Sequence, residues 1–187
     1  MHFVGQLWLP ILLATVFCFI LSAIIWMAGP HHKKEWRGVG SAEDALMGAL
    51  RQGGVGQGGY MFPFGDRADK AQFEAAMKKW AEGPSGVLYV FPRGQMGMGK
   101  MLVQQFVFFL AVNFMLAYVG HHSSLDSQPY LRVFQVIGAV AFMTYWLGAA
   151  PESIWFGRPW KSYLLQGVDG LMYALVTAGT FGWLWPR

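Results

Sequence analysis

The side chains in this sequence best suited to chemistry are five histidines and one aspartate. The histidines occur as His2, the pair His31–His32 and the pair His121–His122. Imidazole nitrogens bind transition metals, but adjacent histidines at the end of an apolar segment are more often interfacial anchors than ligands. We therefore predict no metal, and His2, His121 and His122 are the weak candidates for one.

Asp169 lies about seven residues, or roughly 10 Å, inside an apolar segment. An ionisable group at that depth in a membrane costs a few kcal/mol unless it finds a partner or water. It forms either a polar site for ions, protons or a headgroup, or a structural hydrogen bond between helices, or it reaches the interface. The predicted intramembrane polar site comprises Asp169, Tyr145, Thr144, Gln105 and Asn113.

Nucleotide and cofactor chemistry is poorly supported. Residues 94–100 fit the phosphate-loop pattern G-x-x-x-x-G-K, but Met101 follows where magnesium binding needs serine or threonine. One cysteine, Cys18, excludes an internal disulfide and a cysteine-rich metal site. We predict no cofactor and no catalytic residue.

The elements that position these residues are apolar helices. Apolar residues make up 55% of the chain and charged residues 13%, whereas soluble domains have about a quarter charged. Four segments reach the roughly 20 residues that span a bilayer. The sequence predicts an all-α membrane protein with four transmembrane helices, one within 1–29 and the others at about 101–120, 133–150 and 162–185.

The insertion at 30–100 is too long for a simple loop. Ser41 is expected to cap a helix over 42–52, and Asp69 with Gln72 resembles a capping box for a helix ending near Glu82. Two β-like runs, 60–64 and 87–91, flank the second helix. We predict a small α+β unit between the first and second transmembrane helices.

Lysines and arginines are distributed unequally about the predicted spans. Four spans put twelve of them on the side of the 30–100 insertion and two, Arg132 and Arg187, on the other. The positive-inside rule then places the insertion in the cytoplasm of a bacterial inner membrane and both termini outside. The charges crowd the span ends, so we expect lipid rather than nucleic-acid contacts. The predicted anionic lipid contacts are Lys33, Lys34, Arg37, Lys100, Arg158 and Lys161.

Small residues recur every four positions along the last apolar segment. This spacing predicts a smooth ridge where another helix approaches closely, either the third span of the same chain or another subunit. The ridge consists of Gly170, Ala174, Ala178 and Gly182.

An uncharacterised family of bacterial multi-span membrane proteins is similar to this chain in five segments. They are Pro30-His-His-Lys33, Tyr60-Met-Phe-Pro63, Ser153-Ile-Trp-Phe-Gly-Arg-Pro-Trp160, Asp169-Gly-Leu-Met-Tyr and Thr180-Phe-Gly-Trp-Leu-Trp-Pro186. The resemblance covers most of the chain. It implies an envelope protein with several spans, and it carries no activity, cofactor or catalytic residue with it.

Three functions fit these observations. The leading prediction is a non-catalytic accessory subunit or scaffold that packs against a larger membrane complex or forms a homo-oligomer. The first alternative is a small transporter or proton- or ion-handling protein that uses Asp169. The second is an enzyme acting on lipid headgroups, with His31, His32 and Asp169 near the cytoplasmic face, although their spacing does not require it.

Overall fold

The computed structural model describes residues 2–33, 35–94 and 97–186, and most of them lie in helices. The chain divides into two compact units, one built from Met1–Trp36, Gly97–Pro151 and Pro159–Arg187 and the other from Arg37–Met96 and Glu152–Arg158. The helices are α1 (His2–Ala28), α2 (Glu43–Gln52), α3 (Lys70–Glu82), α4 (Met98–His122), α5 (Tyr130–Tyr145), α6 (Ala150–Trp155) and α7 (Trp160–Leu184).

The first unit is an antiparallel four-helix bundle. Helix α1 packs against α4 and α7, and α5 packs against the same two helices. Between α1 and α4, Asn113 Nδ2 donates to Thr15 Oγ1 at 3.4 Å. Between α1 and α7, Cys18 Sγ lies 3.3 Å from Thr177 Oγ1. These polar pairs, together with a large apolar core, lie inside the bundle.

Three segments are long and apolar enough to cross a membrane within the described residues: Phe3–Ala28, Met98–His122 and Tyr130–Trp155. The third continues from α5 through a 3-10 turn, Leu147–Ala149, into α6. Many of the exposed side chains on these helices are large and apolar, including Ile24, Val103 and Met115. Lipid solvates such an apolar surface better than water does, so these helices indicate a membrane protein.

Helix α7 occupies the position of the fourth predicted span but is not among these three. Its 25 residues are long enough, yet they include Lys161, Gln166 and Asp169, which lower its apolar character. It is also heavily enclosed, with buried residues from Ser162 to Gly182. A helix surrounded largely by other helices needs less apolar surface than one that faces lipid.

The small-residue ridge of α7 packs against α5 of the same chain. A Cβ added at Gly170 would lie 3.1 Å from Trp146 Cβ, and one at Gly182 would lie 2.8 Å from the ring of Tyr130. Between these positions, a Cβ added at Gly138 on α5 would lie 3.1 Å from Ala178 Cβ. The ridge therefore meets its own α5, one of the two neighbours that the sequence left open.

Replacing Gly182 with alanine is expected to destabilise the bundle by about 1–3 kcal/mol, because the new methyl group overlaps the Tyr130 ring. The matched control is Gly179→Ala. A Cβ at this position would lie 3.9 Å from Tyr130 Oη, an ordinary van der Waals distance. That variant should be neutral or slightly stabilising, since alanine favours helix. Thermal unfolding in detergent measures both. Equal melting temperatures for the two variants would contradict this packing.

The second unit contains a two-stranded antiparallel sheet with α2 and α3, as the predicted α+β insertion requires, and the end of α6. Strand β1 (Gly58–Phe62) pairs with β2 (Gly86–Val90), and Tyr60 lies opposite Leu88. Both strands begin and end slightly earlier than predicted. Strand β1 ends before Pro63, which has no N–H to donate to a ladder.

The predicted helix starts in this unit have different outcomes. Asp69 caps α3: its Oδ1 accepts from the N–H groups of Ala71 and Gln72, and its Oδ2 accepts from the Gln72 side chain. The prediction for Ser41 is wrong. Ser41 lies within a 3-10 turn, Gly40–Ala42, and Ala42 takes the N-cap position of α2 without a side-chain cap.

Replacing Asp69 with alanine should loosen the first turn of α3. The N–H of Gln72, with its side chain and the N–H of Ala71, lowers the pKa of Asp69 below its ordinary value. The cap is therefore complete above the ordinary pKa of aspartate and is lost as the pH falls through the lowered value. Hydrogen exchange at residues 71–73 should accelerate several-fold in the variant. Glu74→Ala, which removes only an exposed pair with Lys70, is the control and should leave exchange at these residues unchanged.

Candidate functional site

The end of α1 presents two histidines on a tight turn. The Gly29 N–H still donates to Ile25 O at 2.8 Å, after which Pro30 prevents the helix from continuing. His31 and His32 follow at once, and the Glu35 N–H donates to His32 O at 3.0 Å to close the turn. The turn holds both imidazoles and the Glu35 carboxylate beside the helix end.

Asp169 faces this turn from α7, ten residues into the helix and about 14 Å from its start. Its side chain is only 4% exposed. His31 Nε2 donates to Oδ1 at 2.8 Å, and His32 Nε2 donates to Oδ2 at 2.8 Å. The structure therefore gives the buried aspartate two histidine partners that are 137 and 138 residues away in sequence.

His32 is held from both of its nitrogens. Its Nδ1 donates to Glu35 Oε2 at 2.5 Å, and both side chains are buried. The ring also stacks on Trp26, with centroids 4.2 Å apart and planes within 6°. Burial by itself lowers the pKa of His32, but the hydrogen bonds and charges of Glu35 and Asp169 outweigh it and raise the pKa above the ordinary value.

The chemistry of this arrangement follows from what a carboxylate can do. An ionised carboxylate only accepts hydrogen bonds, so an imidazole that faces one carries a proton on that nitrogen. His32 faces a carboxyl group at each of its nitrogens. Two carboxyl groups and an indole face around one imidazole favour a positive charge at that ring.

Access to the cluster is uneven. The His31 side chain is 24% exposed, whereas Asp169 and His32 are 4% and 6% exposed. The two imidazoles lie against each other, with centroids 4.3 Å apart. His31 is therefore the most accessible of the three side chains. Among the described residues, the group of side chains placed to bind one metal ion together is His31, His32 and Asp169, with donor atoms within 4.8 Å of one another.

The other members of the predicted intramembrane polar site are placed elsewhere. Thr144 donates its hydroxyl to Val140 O on its own helix, and Gln105 is exposed on α4. Tyr145 is buried with its ring 5.6 Å from that of Tyr173. The structure thus gives Asp169 histidine partners in place of the neighbours suggested by depth alone.

Asn113 lies deeper in the bundle. Its Nδ2 donates to Phe109 O at 2.9 Å and contacts Thr15, as described above. Within the described part of the chain, its Oδ1 is buried without a hydrogen-bond partner. On α7, Tyr173 and Thr177 follow Asp169 at successive four-residue steps, and Cys18 Sγ approaches the carbonyl of Tyr173 at 3.7 Å. Polar groups therefore continue from Asp169 into the bundle core.

The weak metal candidates occupy the end of α4. His121 Nδ1 lies 3.7 Å from Asp126 Oδ2, and His122 Nδ1 donates to Tyr118 O at 2.9 Å. The side chain of His2 is outside the described residues. His121 and His122 thus each contact a nearby residue of the chain.

The predicted lipid-contacting cations are mostly exposed. Lys34 lies outside the described residues, and Arg158 is half-buried. The remaining four are exposed and free to reach solvent or headgroups: Lys33, Arg37, Lys100 and Lys161.

Two residues of the cluster, Glu35 and Trp26, were missed by sequence reasoning. Glu35 carries a usable signal, since it lies three residues after His32 on a turn that follows a helix end. Trp26 lies near the end of an apolar segment, where tryptophan is common in membrane proteins. Its stacking on His32 depends on how the turn folds back on α1, which spacing does not reveal.

Comparison of the chain with protein-family models, with curated proteins and with solved structures found no match.

Proposed function

We propose that the chain is a four-span protein of a bacterial inner membrane, in which α7 is the fourth span. Helix α7 is 25 residues long and packs between α1 and α5, and both of these neighbours are apolar enough to span. The twelve-to-two distribution of lysine and arginine supports a cytoplasmic 30–100 insertion and termini outside the cytoplasm. The His31–His32–Asp169 cluster then lies near the cytoplasmic boundary.

The function proposed for this protein is the binding and movement of protons or metal cations at that cluster. The proposal rests on the position of His32, whose two nitrogens each face a buried carboxyl group, at 2.5 and 2.8 Å. Two carboxyl groups at one imidazole favour a positive charge there. A purely structural role does not need it, because apolar side chains hold helices together equally well in place of buried ion pairs. The polar groups of Tyr173, Cys18 and Thr177 extend from the cluster into the core and favour movement of ions over passive support.

Reconstitution in liposomes tests this function. Wild-type protein should conduct protons or Zn²⁺, followed with a pH-sensitive dye and a fluorescent zinc indicator. Asp169→Asn should reduce that flux to the level of protein-free liposomes, because the site loses its central charge. Asp126→Asn, at an exposed aspartate in the α4–α5 loop, is the matched control and should leave the flux unchanged. Equal flux from wild-type and Asp169→Asn protein, or none from either, would end this proposal.

An accessory-subunit role is a second proposal. It is favoured by the outward face of α4, where Val103, Phe108 and Met115 are about half exposed or more and offer an apolar surface to lipid or a partner. The α7 ridge lends it no support, since α5 fills that ridge. Purification in mild detergent tests it: a larger complex would support it, and a stable lone chain at every salt concentration would count against it.

A further inference from the structure

We propose that the cluster is a site for one divalent transition-metal ion, bound by Nε2 of His31, Nε2 of His32 and the carboxylate of Asp169. This inference rests on the proposed function, for which it names the ion class. The three groups converge from two parts of the chain, His31 and His32 from the turn after α1 and Asp169 from α7. Their donor atoms all lie within 4.8 Å of one another, so small movements would give them the spacing of about 3.0–3.4 Å that neighbouring ligands have around an ion bound at about 2.0–2.2 Å.

The donor set selects the class of ion. Two imidazoles and a carboxylate suit Zn²⁺, Fe²⁺, Co²⁺ or Ni²⁺, whereas Mg²⁺ and Ca²⁺ prefer sites made only of oxygen. Three protein ligands leave a coordination position for water or an exchanging group. The exposed side of His31, at 24%, is where that position would open.

The His32 ring is oriented by contacts behind its metal-facing nitrogen. A metal-binding histidine normally donates its other ring N–H to a carboxylate, which fixes the tautomer and the ring orientation. His32 has this partner in Glu35, and Trp26 covers one face of its ring. His32 is therefore oriented with Nε2 aimed at Asp169 before any ion arrives.

Asp169 and Glu35 place two carboxyl groups in a buried setting. With both of them ionised, a divalent ion and two neutral imidazoles bring the net charge of the cluster to zero, whereas a single imidazolium leaves it at minus one. The nitrogen protons that point at Asp169 are the ones an ion would replace, and the ligands would separate slightly to admit it.

Zinc binding by the full chain tests the site. Detergent-purified protein, stripped with a chelator, should bind one Zn²⁺ per chain in competition with a chromophoric chelator, and excess Mg²⁺ should not displace it. Asp169→Asn and His32→Ala should lose this binding. Glu35→Gln should weaken it about 10–100-fold, the usual effect of removing a partner behind a ligand.

The matched control is the double variant His121→Ala/His122→Ala, which removes the other histidine pair and should bind Zn²⁺ like the wild type. Zinc retained by Asp169→Asn, or lost in this control, would overturn the assignment. X-ray absorption of the zinc-loaded wild type avoids variants that fail to fold: it should show two imidazole ligands, and none or one would overturn the site.

These results separate the two proposals. Zinc bound as described without any cation flux would sink the proposed function and leave the metal site standing. Proton flux that depends on Asp169, from protein that binds no zinc, would sink the metal site and leave the function standing.

Discussion

Replacing His32 with alanine is expected to lower the free energy of unfolding by about 3–5 kcal/mol, because it leaves the buried carboxylates of Asp169 and Glu35 without the cation between them. For a chain of this size the loss corresponds to a fall in melting temperature of roughly 6–20 °C. The effect is large because the carboxylates that lose their partner stay buried, and nothing then offsets the free energy of their desolvation.

His122→Ala is the control for this prediction. His122 is exposed and donates one hydrogen bond to a backbone carbonyl of its own helix. Its loss should change stability by no more than about 0.5 kcal/mol. Thermal unfolding of both variants in the same detergent makes the comparison. A His32→Ala protein within about 1 kcal/mol of the wild type would show that the cluster is not a buried charge site.

The second large effect concerns the side of the membrane on which each segment lies. Cys18 is fully buried, so the wild type is its own unlabelled background for a maleimide that cannot cross membranes. In spheroplasts, Gln128→Cys and Pro186→Cys should label completely, because the α4–α5 loop and the end of α7 face outward. Glu74→Cys should label only after permeabilisation, because the insertion is cytoplasmic.

The Pro186 position decides whether α7 crosses. With a fourth span it reports the same side as Gln128; with three spans it reports the side of Glu74. Labelling of Pro186→Cys only after permeabilisation would show that α7 does not cross and that the protein has three spans. Outward labelling of Glu74→Cys would invert the topology derived from the lysines and arginines.

Much of the fold follows from local chemistry. The apolar stretches that form α1, α4 and α5 can be recognised in the sequence because a bilayer requires a minimum length and an apolar composition of each span. The cap at Asp69 was also readable, since it depends on residues within one turn. Ser41 failed as a cap because a 3-10 turn takes the chain past it before α2 begins, and such a turn leaves no compositional signal.

The site was only partly readable. The sequence marks Asp169 as a costly charge in need of a partner, and it places His31 and His32 at the same end of the bundle. It does not say which helices are neighbours. The partners predicted for Asp169 came from the second and third spans, Gln105 and Thr144 among them, whereas the hydrogen bonds of its carboxylate come from the turn after α1. These hydrogen bonds require α1 and α7 to be adjacent, which is a property of the packed bundle.

The central claim is that the turn after α1 and Asp169 on α7 form one buried charged site. A double-mutant cycle on thermal stability with His32→Ala, Asp169→Asn and the double variant tests it most directly. A coupling of at least about 1.5 kcal/mol is predicted, since each residue is the other's buried partner. Effects that add to within about 0.5 kcal/mol would contradict the claim, because residues that do not touch behave that way.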